Sequence, residues 1–333
     1  MNAEFAESIK NFQMDPFEQG TTDVKVEQKK TRIRNLMIGA AMILTIATVV
    51  SISVLLSSPY RVPGSMKGMV FISAQEAQTL ENPVILDARD SDTLSDSIIN
   101  AKHAKWSLFT EGENSGLVSD NLDLAQDVLR QLGVNRRDPV LVYGQWNDGW
   151  GEEGRLYWTL LLFNVTNSHI LYGGINAAKL LKQGEWVVNN GPISISNKKA
   201  SSSITVIRRD VNRSIRSTKS DIQAILEEKN KKQKEYLLLD VRSGNEYHGE
   251  GHISSALNWH WKSVFKNNNL KSCDDLIQAW GRDLDLSRPP ATDVTIVSYC
   301  LGGIRSAFVF SVMASCGYVG VKNYDGSWWD WKD

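Results

Sequence analysis

A strand pattern that repeats once along the chain constrains the fold more than any other feature of the sequence. Three short apolar runs in the first half each end at an aspartate or a tyrosine, and three runs in the second half do the same: Asp87, Tyr143, Tyr172, Asp240, Tyr299 and Tyr324. The members of each pair lie 153, 156 and 152 residues apart. Such regular separations indicate an internal duplication. Helical stretches alternate with the strands, so we expect two α/β units, each with a mostly parallel sheet flanked by helices.

Length and composition agree with two globular domains. The chain has 333 residues, of which 42% are hydrophobic and 23% charged. This is the composition of a folded protein, and ordinary domains have roughly 100–200 residues. The formal net charge is −1, so the chain as a whole has no excess positive charge with which to bind nucleic acid. We therefore expect no nucleic-acid partner.

An uncharged apolar run near the N-terminus predicts a membrane anchor. Residues 36–56 carry no charge, and roughly 20 apolar residues cross a bilayer core. Lys and Arg residues cluster before the run, at 25–34, and such clusters stay in the cytoplasm. We expect a single-pass inner-membrane protein with a cytoplasmic N-terminus and its folded domains in the periplasm. A cleaved signal peptide is the alternative, although its apolar region is usually shorter, about 7–15 residues.

One of the three cysteines lies in a loop that suits a reactive thiol. Cys273, Cys300 and Cys316 form no Cys-x-x-Cys pair, so no zinc or dithiol site is indicated. Cys300 follows an apolar strand, and the loop at 300–305 leads into an apolar helix. Backbone N–H groups in such a loop bind anions and lower the pKa of a thiol. We expect Cys273 and Cys316 to pack in the interior, and a disulfide between them stays open for an oxidising compartment.

The second half resembles the rhodanese family over residues 240–331. The loop at 300–305 has the family's Cys-x-x-Gly-x-Arg pattern, and residues 323–328 are similar to the closing segment of tandem rhodaneses. The upstream signature of the family is matched by Asp240-Val-Arg242, Glu246-Tyr247 and Gly251-His252-Ile253. The resemblance implies a tandem sulfurtransferase of the rhodanese type.

The first half resembles the same family only in outline. Asp87-Ala-Arg89 keeps an Asp-x-Arg pair, but Gly144 stands at the position of the cysteine. The loop from Gly144 to Arg155 is six residues longer than the loop at 300–305. A domain without the thiol cannot carry sulfur covalently, so the resemblance implies a structural or substrate-shaping role. The expected organisation is a cytoplasmic tail at 1–35, a transmembrane anchor at 36–57, a linker at 58–69, an inactive rhodanese-like domain at 70–190, a linker at 191–217 and a catalytic rhodanese domain at 218–333.

The resemblance implies sulfur transfer in two covalent steps. The Cys300 thiolate takes the outer sulfur of thiosulfate or of a persulfide donor, and the resulting persulfide passes it to cyanide or to a thiol, including a protein thiol. The implied site comprises the nucleophile Cys300, the substrate-binding loop residues Leu301, Gly302, Gly303, Ile304 and Arg305, and the supporting residues Asp240, Arg242 and His252. No metal and no organic cofactor is implied.

Two features depart from the pattern of the thiosulfate and mercaptopyruvate enzymes in this family. Leu301 and Gly302 are neither the basic residues of the first group nor the small polar residues of the second. Glu246 stands where both groups place a substrate-binding arginine, four residues after Arg242. Binding of an anionic donor is therefore less favoured, and a persulfide or protein-bound donor is the alternative.

Two other functions are compatible with parts of the sequence. Cysteine phosphatases of a related fold need five residues between Cys and Arg to wrap a phosphate, whereas four lie between Cys300 and Arg305, which argues against that activity. A membrane-tethered relay or binding module would hold sulfur for one partner protein without turnover. Trp146 and Trp150, in the long first-domain loop, are expected either to wall the cleft or to contact a partner, whereas the tryptophans at 328, 329 and 331 are expected to pack in the interior.

Overall fold

The structure, a computed structural model, describes residues 29–38, 40, 59–66, 70–91, 93–112, 115–181, 186–195, 202–206, 208–229, 236–284 and 294–333. The chain divides into two compact parts, residues 1–58 and residues 59–333. In the part before residue 59, residues 29–38 are helical and exposed. Across the described ranges, no helix is both long and apolar enough to span a membrane. The anchor predicted at 36–57 lies outside the described residues except for 36–38 and 40, so it stays a prediction.

Two five-stranded sheets form the framework of residues 59–333, and every strand pairing within them is parallel. The strands are β1 Phe71–Ile72, β2 Val84–Asp87, β3 Ser97–Ile98, β4 Lys102–His103, β5 Val140–Tyr143, β6 Ser168–Leu171, β7 Val187–Val188, β8 Arg216–Ser217, β9 Tyr236–Asp240, β10 Leu257–Asn258, β11 Phe265–Lys266, β12 Asn269–Leu270, β13 Thr295–Tyr299 and β14 Val321–Tyr324. Two antiparallel pairs, β3 with β7 and β11 with β12, lie outside the main sheets.

The second sheet repeats the first, strand by strand. The first sheet has the order β4-β2-β5-β6-β1, and the second has the order β10-β9-β13-β14-β8. The strand β2 ends at Asp87 and the strand β9 ends at Asp240, and the two strands occupy the same place in their sheets. The predicted fold class, two α/β units with parallel sheets, is therefore confirmed. The edge strand β8 falls within the stretch 191–217 that the sequence suggested as a linker.

Nine helices of the described residues cover the sheets, and several begin and end at residues that the sequence marked. They are α1 Ala74–Ala77, α2 Leu122–Leu132, α3 Glu152–Leu162, α4 Gly174–Lys179, α5 Lys219–Lys229, α6 Gly244–Gly249, α7 Cys273–Asp283, α8 Ile304–Ser315 and α9 Ser327–Lys332. The sequence Ser73-Ala-Gln-Glu76 predicts a capping box, and Ser73 and Glu76 form it at the start of α1. Gly133 ends α2 with a left-handed φ of 72°, as a helix-terminating glycine does.

The two α/β units meet where α3 of the first packs on α8 of the second. The helices approach closely because Gly154 has no side chain: a Cβ there would overlap the Cα of Phe308. Phe308 is fully buried and contacts the rings of Phe71, Trp146 and Trp261. Burying a side chain of this size contributes about 1.5–3 kcal/mol. Since a loop precedes each of these helices, this packing also brings the two loops together.

A disulfide joins Cys273, the first residue of α7, to Cys316, the residue after α8. The two Cα atoms are 5.3 Å apart, within the usual range for such a bond. The expectation that both cysteines serve only as packing residues is wrong, and the pairing left open by the sequence is formed. Cys300 is the free thiol.

Candidate functional site

Cys300 lies at the C-terminal end of β13, in the short loop that connects this strand to α8. Its backbone N–H donates to the hydroxyl of Ser327 at 3.0 Å. Its carbonyl accepts from the N–H of Trp328 at 3.1 Å, and the carbonyl of Leu301 accepts from the N–H of Trp329 at 2.9 Å. The residue is 1% exposed. The first turn of α9 thus fixes the loop around a buried thiol.

Two glycines give the loop its shape. A Cβ on Gly302 would overlap the indole of Trp329, so a side chain at this position would displace the tryptophan. Gly303 has a left-handed φ of 78°, and a Cβ there would overlap the carbonyl of Asp325. Glycine adopts such a conformation without the steric cost that other residues pay. Leu301 and Ile304 are half-buried, and their apolar side chains bring no charge to the loop.

The surroundings of Cys300 favour its thiolate. Burial alone raises the pKa of the Cys300 thiol, but the positive charge of Arg305 and hydrogen bonds from Ser306 and from the backbone N–H of Gly302 lower it by more. The net effect is a pKa below the ordinary thiol value. A thiolate is the nucleophilic form of cysteine, so this loop makes a reactive sulfur. Ser306, whose hydroxyl lies 3.7 Å from the sulfur, was missed by the sequence analysis, which ended the loop at Arg305.

Arg305 is held by Glu246, which lies in α6. Nη1 donates to Oε2 at 2.8 Å and Nη2 donates to Oε1 at 2.7 Å. Burial opposes ionisation of Glu246, but hydrogen bonds from Arg305 and Ser243 outweigh it and lower the pKa of Glu246 to about 2. Glu246 also closes the capping box of α6 with Ser243. The guanidinium lies 5.6 Å from the ring of Trp150, from the first unit.

Asp240 and Arg242 form a fully buried ion pair behind the loop. Arg242 Nη2 lies 2.7 Å from Asp240 Oδ2 and also donates to the carbonyl of Gly251 at 2.6 Å. The guanidinium stacks 4.8 Å from the ring of Trp328, the residue whose N–H binds the Cys300 carbonyl. Arg242 thus packs on α9 through Trp328, and the N–H of Trp328 in turn binds the loop at the Cys300 carbonyl. These contacts are those of a supporting pair rather than of a substrate-binding one.

His252 lies on the surface, away from the sulfur. Its ring stacks on Tyr247 at 3.7 Å between centroids, and its Nδ1 lies 3.1 Å from the Tyr247 carbonyl. The tyrosine in turn donates its hydroxyl to the carbonyl of Ala256 at 2.8 Å. These contacts hold the turn that contains His252, and the supporting role suggested for this residue stays a prediction.

The first unit has an equivalent loop in which a carboxyl group replaces the thiol. Gly151 and Gly303 both have left-handed φ angles, of 81° and 78°, immediately before α3 and α8. Counting from these glycines, Glu153 corresponds to Arg305. The alignment of Arg155 with Arg305 is wrong, and the insertion in this loop is four residues rather than six. The carboxylate of Glu153 lies so close to Gly144 that a Cβ on the glycine would overlap it.

The enlarged first-unit loop docks on the second unit. Trp146 is 1% exposed, and its Nε1 donates to the carbonyl of Asn268 at 2.8 Å. Asn147 donates to the side chain of Asn268 at 2.7 Å and accepts from Lys262 Nζ at 2.9 Å. Trp150, 63% exposed, then lies against Arg305. The loop therefore buries one tryptophan and places the other beside the loop of Cys300.

No group of three or more His, Cys, Asp or Glu side chains that could hold a metal ion occurs among the residues that the structure describes. The residues that gather at the sulfur are the loop 300–306, Glu246, Trp150 and the start of α9. Glu246 was recognised in the sequence as a departure from a family pattern, but its bond to Arg305 was not foreseen. The motif Ser-x-x-Glu at 243–246 predicts a capping box and was the available signal that this carboxylate is fixed in place.

Comparisons with known proteins agree with this geometry. The family described as "Rhodanese-like domain" matches residues 221–333. A Mycobacterium leprae protein named "Putative thiosulfate sulfurtransferase SseA" is 30% identical over 224 residues, which are 62% of this chain and 67% of that protein. The chain belongs to the rhodanese family. A Haloferax volcanii protein named "Putative thiosulfate sulfurtransferase" is 28% identical over 232 residues, which are 62% of this chain and 70% of that protein.

Two solved structures share the fold of this chain. The 3-mercaptopyruvate enzyme SseA from Escherichia coli superposes with a TM-score of 0.63 at 22% identity, over 78% of this chain and 99% of that one. The Tum1 protein from Saccharomyces cerevisiae superposes with a TM-score of 0.66 at 14% identity, over 79% and 94% of the two chains. At these identities the likeness establishes the fold and leaves the substrate to be argued from the site.

Proposed function

We propose that this rhodanese is a sulfurtransferase that carries sulfane sulfur as a persulfide on Cys300. The observation that carries the proposal is the position of the buried Cys300 sulfur, 3.7 Å from the Ser306 hydroxyl. Arg305, Ser306 and the N–H of Gly302 together lower the pKa of this thiol. The same donors would stabilise a persulfide anion, because its charge is placed close to theirs. The names of the curated relatives support the same class of reaction.

The proposed reaction has two displacement steps. In the first, the Cys300 thiolate attacks the outer sulfur of a donor R–S–S⁻; a new S–S bond forms on Cys300, the donor's S–S bond breaks, and RS⁻ leaves with the electron pair. In the second, an acceptor thiolate or cyanide attacks the outer sulfur of the Cys300 persulfide. The acceptor becomes a persulfide or thiocyanate, and the Cys300 thiolate is restored. Two covalent half-reactions of this kind give ping-pong kinetics.

The donor that this site favours is a thiol persulfide rather than thiosulfate. Glu246 neutralises Arg305 through two hydrogen bonds, so Arg305 does not face the substrate as an unpaired cation. Leu301 and Ile304 supply apolar side chains, and Trp150 supplies an aromatic one. Thiosulfate carries two negative charges, whereas a persulfide carries a single charge at its reacting end. A mouth with little net positive charge discriminates against the dianion.

A relay to a protein acceptor is a second candidate, and the position of Trp150 favours it. Cys300 is 1% exposed while Trp150, beside Arg305, is 63% exposed. Large exposed aromatic side chains are enriched where proteins bind one another. In this variant of the function, a partner docks at Trp150 and accepts the sulfur, and small thiols discharge the persulfide slowly.

We also propose that the two rhodanese-like domains lie outside the cytoplasm, held by one helix at 36–57. The cluster of basic residues before this apolar segment supports a cytoplasmic N-terminus. The disulfide between Cys273 and Cys316 supports an oxidising compartment, since cytoplasmic proteins rarely keep such bonds. Protease treatment of spheroplasts tests this arrangement: the domains should be digested without lysis, and full protection would contradict the proposal.

The central experiment is intact-mass analysis of the full-length chain in mild detergent, beside Cys300→Ser. After exposure to glutathione persulfide, we expect a gain of one sulfur, about 32 Da, in the native protein. The gain should disappear on treatment with cyanide and never arise in the serine variant. Thiosulfate should load the protein less completely at equal concentration. If neither donor adds sulfur, the proposed chemistry is excluded and a binding role without persulfide takes its place.

A further inference from the structure

Arg155 is a fully buried arginine that the first unit inserts into the base of the catalytic loop. Its Nη1 donates to the carbonyl of Gly303 at 3.2 Å, and its Nη2 donates to the carbonyl of Gly116. A Cβ on Gly303 would lie 2.5 Å from Nη1, so the absence of a side chain at Gly303 makes room for the guanidinium. The arginine therefore bridges a first-unit loop and the residue before α8.

The arrangement is not repeated in the opposite direction. Counting from the left-handed glycines Gly151 and Gly303, the residue of α8 that corresponds to Arg155 is Ala307. Ala307 is buried and has no polar side chain to offer the loop of the first unit. The duplicated helices thus keep an inserted arginine on one side only, and that arginine reaches the loop that has the thiol.

The charges around Arg155 leave room for one more anion. Arg216 binds Asp325, at 3.0 Å from Nε to Oδ1 and 2.9 Å from Nη2 to Oδ2, and Arg305 is paired with Glu246. Among the described carboxylates, none forms an ion pair with Arg155. Burial lowers the pKa of Arg155 to about 10, and the negative charges of Asp325 and then Cys300 oppose that effect. Asp325 and the Cys300 sulfur are thus the negative charges that act on this buried cation, and Asp325 is already paired with Arg216.

We propose that Arg155 is a positioning residue of the Cys300 loop: it holds the Gly303 carbonyl in place and supplies, from the domain without a thiol, the buried positive charge that balances the sulfur anion. The first domain is then part of the active site through this one side chain. The proposal deepens the proposed function and rests on it only where the anion is a persulfide. Its part concerning the thiolate does not depend on the proposed function.

The test is the pH dependence of Cys300 alkylation by iodoacetamide in the full-length chain, measured by mass. Cys300 is the single free thiol, so the reading is unambiguous. In Arg155→Met we expect the pH of half-maximal rate to rise by about one unit, which is roughly a tenfold slower reaction near neutral pH. Arg155→Gln, which keeps a polar side chain for the buried carbonyls, should give a similar rise. Arg155→Lys keeps the charge and should restore most of the native profile.

The matched control is Arg136→Met. Arg136 also belongs to the first unit and donates to backbone carbonyls, those of Phe163 at 3.0 Å and Thr205 at 2.7 Å, but it does not touch the catalytic loop. Its variant should keep the native alkylation profile. A folded Arg155→Met or Arg155→Gln protein with the native profile overturns the proposal. Alkylation needs no sulfur donor, so that result is distinct from a failure of the native protein to form a persulfide.

Discussion

The carboxylate of Glu246 and the guanidinium of Arg305 form a two-point ion pair in the loop of Cys300, with both N–O distances below 2.9 Å. Substitution of Glu246 tests what this ion pair contributes. Arg305 is the cation whose charge lowers the pKa of the Cys300 thiol, and Glu246 is the anion that limits its reach. Under the proposed function, the pair therefore governs both the pKa of the Cys300 thiol and the charge of the donors that it accepts.

Replacing Glu246 by glutamine should raise the activity toward thiosulfate. Glutamine is tolerated at this capping position, so α6 should persist while the negative charge is lost. We expect kcat/KM for thiosulfate to rise about tenfold, equivalent to ~1.4 kcal/mol, and that for glutathione persulfide to change less than about threefold. Glu250→Gln is the matched control, because Glu250 is exposed and only approaches Arg242 at 3.5 Å. Equal changes for both donors would contradict the proposed charge selection.

Replacing Trp150 by alanine should expose the persulfide without weakening the fold. The indole covers the Arg305 guanidinium and is largely exposed, so the free energy of unfolding should change by about 0.5 kcal/mol or less. Loss of this cover should speed the discharge of loaded Cys300 by a small thiol, roughly three- to tenfold. The measurement is the decay of the persulfide mass in dithiothreitol.

The comparison variant for Trp150→Ala is a substitution of Trp146, the other tryptophan of the same loop. Trp146 is buried among Phe71, Tyr172 and Phe308. Trp146→Ala should therefore lower the free energy of unfolding by about 3–5 kcal/mol, as read from urea denaturation. Similar stability losses for both variants would show that Trp150 is held by the fold, and its proposed role as a cover would be abandoned.

The free energy of unfolding should fall as the pH rises from about 4.5 to about 8, the interval between the pKa of Glu153 in the unfolded chain and in the folded protein. Burial, and then the negative charge of Glu152, raise the pKa of Glu153 to about 8. Between its ordinary pKa of about 4.5 and 8, the unfolded chain loses the proton while the folded protein keeps it, so this group costs about 1.4 kcal/mol per pH unit. Glu153→Gln should remove this dependence. Urea denaturation at pH 5 and pH 8 measures it, and a variant no more stable than the native protein at pH 8 contradicts it.

Removing the disulfide should lower stability without removing the reactive thiol. The bond closes a segment with a sequence separation of 43 residues, for which the chain-entropy estimate is about 4 kcal/mol. We expect a loss of this order in Cys273→Ala/Cys316→Ala, and unchanged alkylation of Cys300 per folded molecule. Urea denaturation with and without reductant provides the comparison. If the urea midpoint of the native protein is the same with and without reductant, the disulfide does not form.

Local signals in the sequence predicted much of the fold and of the loop. The strands around Tyr143 and Tyr299, and the capping box at Ser73, depend on neighbouring residues and were found. The bond between Glu246 and Arg305 joins residues 59 positions apart, and the contact of Trp150 with Arg305 needs the two units to be packed. Neither follows from local pattern. The loop alignment failed because Arg155 offered a matching residue type, whereas the left-handed backbone of Gly151 marks the true helix start.

The pairing of Cys273 with Cys316 bears on the lifetime of the proposed Cys300 persulfide. Of three cysteines in the sequence, these two are bonded to each other, so no second thiol of the same chain is present to attack a Cys300 persulfide and expel hydrogen sulfide. Under the proposed function, a loaded molecule therefore has no internal thiol route of discharge. It would act as a reservoir whose lifetime is set by the arrival of an outside acceptor.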